Sequence, residues 1–316
     1  MVRTSRADTL KIHLDTDLGG DIDDFCALAM ILNWSGVDLI AVTTTSDDQG
    51  RRAGYARSAL KLADRGHIPV AAGADVSSGW YRVRPGFPDE EVYWHEAIPP
   101  APTPLDQALS LLEHSIEQGA MIAAIGPFTN LALLEKRSPG ILRKANLYLM
   151  GGFVFPPRAG FPPWDADMDW NVQVDVESAC YVLQRSSPVL VPLAVTVETA
   201  LRRAYLPVLR QSGPLGRLIA RQAEAFARDE KMEERFGRTC PGLPEDIINF
   251  LHDPLACAIA LGWSDGVTIR EVLLKLEFKD GWLHQRIDND GQPVRVVTHV
   301  NGSAFSEYWL ETVARA

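Results

Sequence analysis

The stretch LKIHLDTDLGGDIDDFCALAMIL, residues 10–32, decides how the chain is read. An apolar run, LKIHL (10–14), stops at a turn that carries five aspartates in ten positions: Asp15, Asp17, Asp21, Asp23 and Asp24. Apolar residues then recur at helical spacing over 21–34, so the stretch reads as a strand, an acidic turn and a helix, the opening of a βαβ unit. The same alternation continues outward. Further strands are expected at 38–44, 68–73, 121–126, 147–152 and 188–195, and further helices at 52–64, 105–118, 175–186 and 207–228, with Pro104 and Pro207 suited to first turns. This pattern predicts an α/β fold: one open, mostly parallel, Rossmann-like sheet flanked by helices. The strands end in DTD, TTTSDD, IGPFTN and MGG. Ligands of such sheets bind beyond the carboxyl ends of the strands, so these endings are expected to converge on one site.

Two proline- and aromatic-rich segments, 77–104 and 153–170, interrupt the alternation and are expected to be pocket-lining loops. After residue 265 the pattern turns β-rich, with a turn at Asn289–Gly291. With 316 residues, 46% of them apolar, the chain is expected to form one domain over 1–316, with 1–8 flexible. A net charge of −10 without a dense Lys/Arg tract argues against a nucleic-acid partner. No run approaches 18 apolar residues, so no membrane association is expected. The four cysteines, Cys26, Cys180, Cys240 and Cys257, have no zinc-type spacing and suggest a reducing, cytoplasmic setting.

The acidic turn has two readings. Aspartates near a helix N-terminus are stabilised by free N–H groups and the helix dipole, which accounts for two of the five. Asp15 and Asp17 directly follow an apolar strand and would be partly buried, where unpaired carboxylates are costly. A hard divalent cation with oxygen ligands resolves that conflict. An EF-hand loop starting at Asp15 fails, because its twelfth position is Cys26 instead of a bidentate Glu. A haloacid-type phosphatase also opens with two aspartates after a first strand. Here Gly19 stands where Thr or Val is usual, and the strand-end motifs hold no cation for a phosphate.

Six motifs sharpen the reading: DTDLGGDIDDFCAL (15–28), TTTSDD (43–48), IGPFTNLALL (125–134), LMGG (149–152), DWNVQVDVESA (169–179) and LHDPLACA (251–258). In this order, over about residues 9–312, the chain resembles the inosine-uridine nucleoside hydrolase family. The resemblance implies the nucleoside hydrolase fold and calcium-dependent hydrolysis of the N-glycosidic bond of a ribonucleoside or related N-riboside, giving ribose and free base in purine or pyrimidine salvage. A homodimer or homotetramer is implied too. So is a Ca2+ held by Asp17, Asp24, Asp253 and the backbone carbonyl of Ile125, with Asp15 and Asp21 in support. Asp23, Asp48 and Asn171 would hold ribose hydroxyls, Asp169 the 5′-hydroxyl, and Met150 would border the sugar. Five residues, not the family's usual three, separate Asp17 from the Asp23–Asp24 pair, so Asp21 competes with Asp23 for the ribose position. Asp169 stands where many relatives have Glu, and Asp48 where many have Asn; both departures bear on the sugar.

The chemistry follows from the residue types. Breaking a ribosyl C–N bond develops oxocarbenium character, which a carboxylate-rich pocket stabilises. Asp17 is the candidate general base and His252 the candidate donor to the leaving base, with Asp165 and Asp167 as alternatives. His252 could instead only cap the helix that begins there. Asp169 and Asn171 could only organise a turn. Trp80, Tyr93, Trp94, Trp164 and Trp170 are candidates to stack on the base. A non-catalytic protein that binds calcium and sugar remains the alternative from another class.

Overall fold

Strand β1 (Leu10–Thr16) is buried from Ile12 to its end and is an inner strand, third from one edge, of a nine-stranded sheet. A computed structural model of the chain describes residues 9–75 and 87–315; the expectations for residues 1–8 and for Trp80 lie outside the described residues. After β1 come α1 (Asp23–Leu32), β2 (Val37–Thr44), α2 (Arg51–Leu62), β3 (Val70–Ala72), α3 (Glu90–Tyr93), α4 (Leu105–Glu117), β4 (Met121–Ala124), α5 (Thr129–Arg137) and β5 (Asn146–Met150). The second half runs through α6 (Trp170–Gln173), α7 (Val176–Arg185), β6 (Val189–Val191), α8 (Leu193–Thr196), β7 (Leu201–Arg202), α9 (Leu206–Gln211) and α10 (Gly213–Glu230). It closes with β8 (Ile247–Asn249), α11 (His252–Ala260), β9 (Thr268–Lys279), β10 (Trp282–Ile287), β11 (Gln292–His299) and α12 (Gly302–Val313).

The strand order is β3-β2-β1-β4-β5-β6-β11-β9-β10. From β3 to β11 every neighbouring pair is parallel, and β9 and β10 add an antiparallel edge. Side chains alternate between two cores: Ala123 and Ile125 pack into one apolar cluster, Ile122 and Ala124 into the other. Among the described residues no helix is long and apolar enough to cross a membrane.

Two expected elements depart from their predicted bounds. The strand expected over 188–195 ends at Val191, because Pro192 has no N–H for the ladder, and α8 follows at once. The helix expected over 207–228 is two helices, broken where Ser212 takes extended angles and Gly213 a φ of 42° before Pro214. Helix α5, starting inside the IGPFTN motif, and α12 were not anticipated.

Candidate active site

The strand order reverses between β1 and β4, whose connections leave in opposite directions, and such a switch point leaves a crevice at the strand ends. Asp15 pairs with Ala124 across that seam, which sets Asp17 beside Gly126. A cavity of about 590 Å³ opens there. Its lining includes Asp17, Asp21, Asp23, Asp24, Ile125, Met150, Asp169, Asn171, His252 and Asp253, so most of the candidate residues meet in one place.

The first turns of α1 and α11 come together at its floor. Asp23, Asp24 and Asp253, all buried, offer carboxylate oxygens within 4.8 Å of one another. The backbone N–H of Asp253 donates to Asp23 Oδ2 (3.3 Å), and the Thr16 hydroxyl donates to Asp24. Lost solvation, then repulsion from Asp21 and Asp24, pushes the Asp23 carboxyl well above the ordinary range; burial, then Asp23, does the same to Asp253, and burial, then Asp17, to Asp24. At this spacing and an effective dielectric of about 20, each ionised pair repels by about 3 kcal/mol. The three therefore do not ionise together without a cation, and a hard, oxygen-seeking divalent metal fits the donor set. Asp17, from the expected ligand set, faces the same cavity; Asp23, expected at the sugar, belongs to the tightest group.

Asp21 does other work. It accepts from the N–H groups of Ile22 (2.5 Å) and Asp23 (3.4 Å) and from the Asn249 amide, organising the turn. Asp15 is fully buried below the cavity: its Oδ1 accepts from Thr43 (2.5 Å) and Asn130 (2.8 Å), Oδ2 has no partner, and burial pushes its pKa to about 7. Asp169 caps α6, accepting from Val172 N–H (3.3 Å) and also from Gly152 N–H; burial raises its pKa to about 6. The turn-organising role considered for Asp169 thus coexists with a place on the cavity wall. Asn171 donates to the carbonyls of Ile125 (2.9 Å) and Met150 (3.1 Å).

At the other end Trp164, Phe236, Phe250 and His252 form an aromatic group, with Trp164–Phe250 centroids 5.3 Å and Phe250–His252 centroids 5.1 Å apart. His252 Nδ1 lies 2.7 Å from Thr196 Oγ1, and burial lowers its pKa to about 3, so the imidazole is neutral near pH 7. Tyr93, Trp164 and Trp170 line the cavity. Trp94 is buried instead and stacks on Tyr55 at 5.0 Å. The placement of Asp48 corrects the sequence reading: it is exposed, outside the cavity lining, while the buried Asp47 turns inward and caps α2 through the N–H groups of Arg52 (2.8 Å) and Ala53 (2.9 Å). Asp165 and Asp167 are exposed and also stand outside that lining.

The family model described as inosine-uridine preferring nucleoside hydrolase matches residues 12–307. The chain belongs to the inosine-uridine preferring nucleoside hydrolase family. It is 30% identical over 270 residues to the pyrimidine-specific ribonucleoside hydrolase RihA of Salmonella arizonae, covering 79% of this chain and 78% of that one. The RihA of Klebsiella pneumoniae is 30% identical over 271 residues, with the same coverage of 79% and 78%. Among solved structures, a plant nucleoside hydrolase superposes with a TM-score of 0.78 at 20% identity, covering 98% of this chain and 100% of its own. The purine-preferring ribonucleoside hydrolase from Gardnerella vaginalis gives 0.76 at 19% identity, covering 96% and 98%. The fold is that of the nucleoside hydrolases, and the chain is an N-ribohydrolase, acting on the N-glycosidic bond of ribosides.

Three features of this nucleoside hydrolase escaped the sequence reading. Arg52 brings a cation to the cavity, but its guanidinium donates to the carbonyls of Asp17, Leu18 (3.3 Å) and Ser46 (2.9 Å), bracing two strand exits instead of awaiting a phosphate. Its signal was its place four residues past the TTTSDD motif. Phe236 and Phe250 lie in the segment 226–250, whose irregular path, including a π-turn at Glu233–Gly237, has no sequence pattern to reveal it. The third is the indole of Trp170, whose N–H points at Asp17 (3.1 Å).

Proposed function

We propose that this chain hydrolyses ribonucleosides with a calcium ion held by Asp24, Asp253, Asp17 and the carbonyl of Ile125, and that Asp17 is the general base. Asp24 and Asp253 are common to the family-implied ligand set and to the buried carboxylate group, and the meeting of Asp253 with Asp24 from the far end of the chain carries the reading. When bound, calcium supplies the positive charge that these carboxylates need and that eases deprotonation of a water near neutral pH. Asp17 takes the water's proton. Asp23 and Asn171 bind ribose hydroxyls and Asp169 the 5′-hydroxyl, with Asp21 and Asp15 keeping the acidic turn in shape from behind. The remaining negative charge favours the oxocarbenium-like transition state.

The aromatic group of Trp164, Phe236 and Phe250 is the place for the base. In the tautomer in which Nδ1 accepts from the Thr196 hydroxyl, His252 carries an Nε2–H for the leaving nitrogen, as a hydrogen-bond donor and not as an imidazolium. A 2′-deoxyriboside leaves hydroxyl-binding groups unpaired and reacts poorly. The pyrimidine-specific relatives put uridine and cytidine first on the substrate panel. Release of free base suits salvage, the four free thiols suit a reducing cytoplasm, and the family likeness suits a homo-oligomer.

The test is base release from a panel of ribonucleosides, followed by chromatography. Activity is expected to vanish with a chelator, return with calcium, and fall roughly 100-fold or more in Asp17→Asn. Binding of ribonucleosides without turnover by the calcium-loaded protein would overturn the catalytic reading in favour of a sugar-binding one.

A further inference from the structure

Three consecutive residues, Asp169, Trp170 and Asn171, reach three strand exits. Asp169 accepts from Gly152 N–H after β5, Asn171 donates to the carbonyl of Ile125 after β4, and Trp170 Nε1–H donates to Asp17 Oδ2 after β1 at 3.1 Å. Trp170 is thus fixed between two anchored neighbours. The loop before it is fastened as well: Arg158 Nε donates to the buried Glu198 at 2.7 Å, and Gly242 N–H donates to the carbonyl of Gly160 at 2.8 Å.

An indole N–H only donates, so this contact keeps one sense and defines which way the Asp17 carboxylate is turned. With Oδ2 held by the indole, Oδ1 lies on the Gly126 side, where a Cβ at residue 126 would stand 2.9 Å from it. A phenyl ring at position 170 would fill much of the same wall and leave Asp17 Oδ2 without that donor. We infer that Trp170 is a positioning residue: its indole N–H holds the Asp17 carboxylate in the orientation from which it takes the proton of the attacking water. This rests on Asp17 being the general base. It differs from the stacking role considered for the Trp170 ring, which would act on substrate affinity.

The two roles separate in the kinetics of Trp170→Phe, measured on the calcium-saturated enzyme with its best ribonucleoside. Positioning predicts a kcat lower by roughly tenfold to a hundredfold with KM within about twofold, since misorienting a catalytic group acts on the transition state and not on binding. An unchanged kcat, or a loss carried by KM alone, overturns the inference in favour of a packing or stacking role. Should Trp170→Phe fail to fold, the wild-type chain labelled with 15N-indole tryptophan gives a second measure. Asp17→Ala is then expected to move one of the eight indole N–H resonances; eight unmoved resonances overturn the inference. Full activity in Asp17→Asn would instead sink the assignment of the base, which a silent Trp170→Phe leaves standing.

Discussion

Asp21 and Asp23 stand two positions apart in one acidic turn, and the sequence allows either to face the sugar. Their surroundings separate them. Asp21 accepts two backbone N–H groups of its own turn and the amide of Asn249, a residue far along the chain that no local pattern links to it. Asp23 is buried in the carboxylate group and accepts from Asp253 N–H. Asp23→Asn is therefore expected to lower kcat/KM roughly 100-fold or more, the scale of losing a group that acts in the transition state. Asp21→Asn, which keeps an oxygen for the turn, should cost only about threefold, within the usual range for a lost local hydrogen bond. Steady-state kinetics on both variants at saturating calcium checks this; equal losses would contradict the assignment. The exposure of Asp48 has the same kind of cause. Ser46 at φ 50° turns the chain just after β2, and Asp47, not Asp48, faces inward. Motif spacing places a residue in the chain, whereas a left-handed turn decides which neighbour points at the site.

At the scale of elements, the alternation of strands and helices was legible because burial imposes a period of two on strands and about 3.6 on helices. What it hid were interruptions fixed by one or two residues, Pro192 after β6 and the Ser212–Gly213–Pro214 break between α9 and α10. The exits of β1 and β4 were legible as polar strand ends, but their closeness was not. At Gly126 an added Cβ would meet Thr45 Cγ2 at 2.7 Å, Asp17 N at 2.8 Å and Asp17 Oδ1 at 2.9 Å. The two strand exits pack this tightly only because residue 126 has no side chain. Gly126→Ala is expected to destabilise the fold by about 1–3 kcal/mol through overpacking and to lower kcat further by displacing the base. Gly66→Ala is the control, because its Cβ would meet nothing nearer than Lys61 Cα at 4.0 Å. Thermal melts and kinetics of the pair test it: a Gly126→Ala enzyme matching Gly66→Ala would show that the exits have room to spare.

At the scale of the whole molecule, the buried carboxylates couple protons, and the cation proposed to bind them, to folding. Asp15, at about 7, Asp169, at about 6, and the group of Asp23, Asp24 and Asp253 all have folded pKa values above the ordinary 3.8. Between pH 4 and about 7 the folded chain then holds more protons at these sites than the unfolded chain, so stability falls as pH rises through that window. His13 and His252, both lowered to about 3 by burial, act the other way: below 6.5 the unfolded chain binds their protons first. The raised carboxylates outnumber the two histidines. In chelator the melting temperature is therefore expected to rise as pH is lowered from 8 to 5. Excess calcium, bound as proposed, is expected to reverse the trend, because its ligands must be ionised and binding stabilises only the folded chain. Calcium at about 100 times its Kd adds about 2.7 kcal/mol, which for a chain of this size is a shift of about 4 °C at neutral pH. That gain should shrink toward pH 5 as protons displace the ion. Melting curves with and without calcium across this range make the comparison. A chelated protein that grows more stable from pH 5 to 8 would mean that the buried carboxylates are already neutralised by something other than protons or a bound cation.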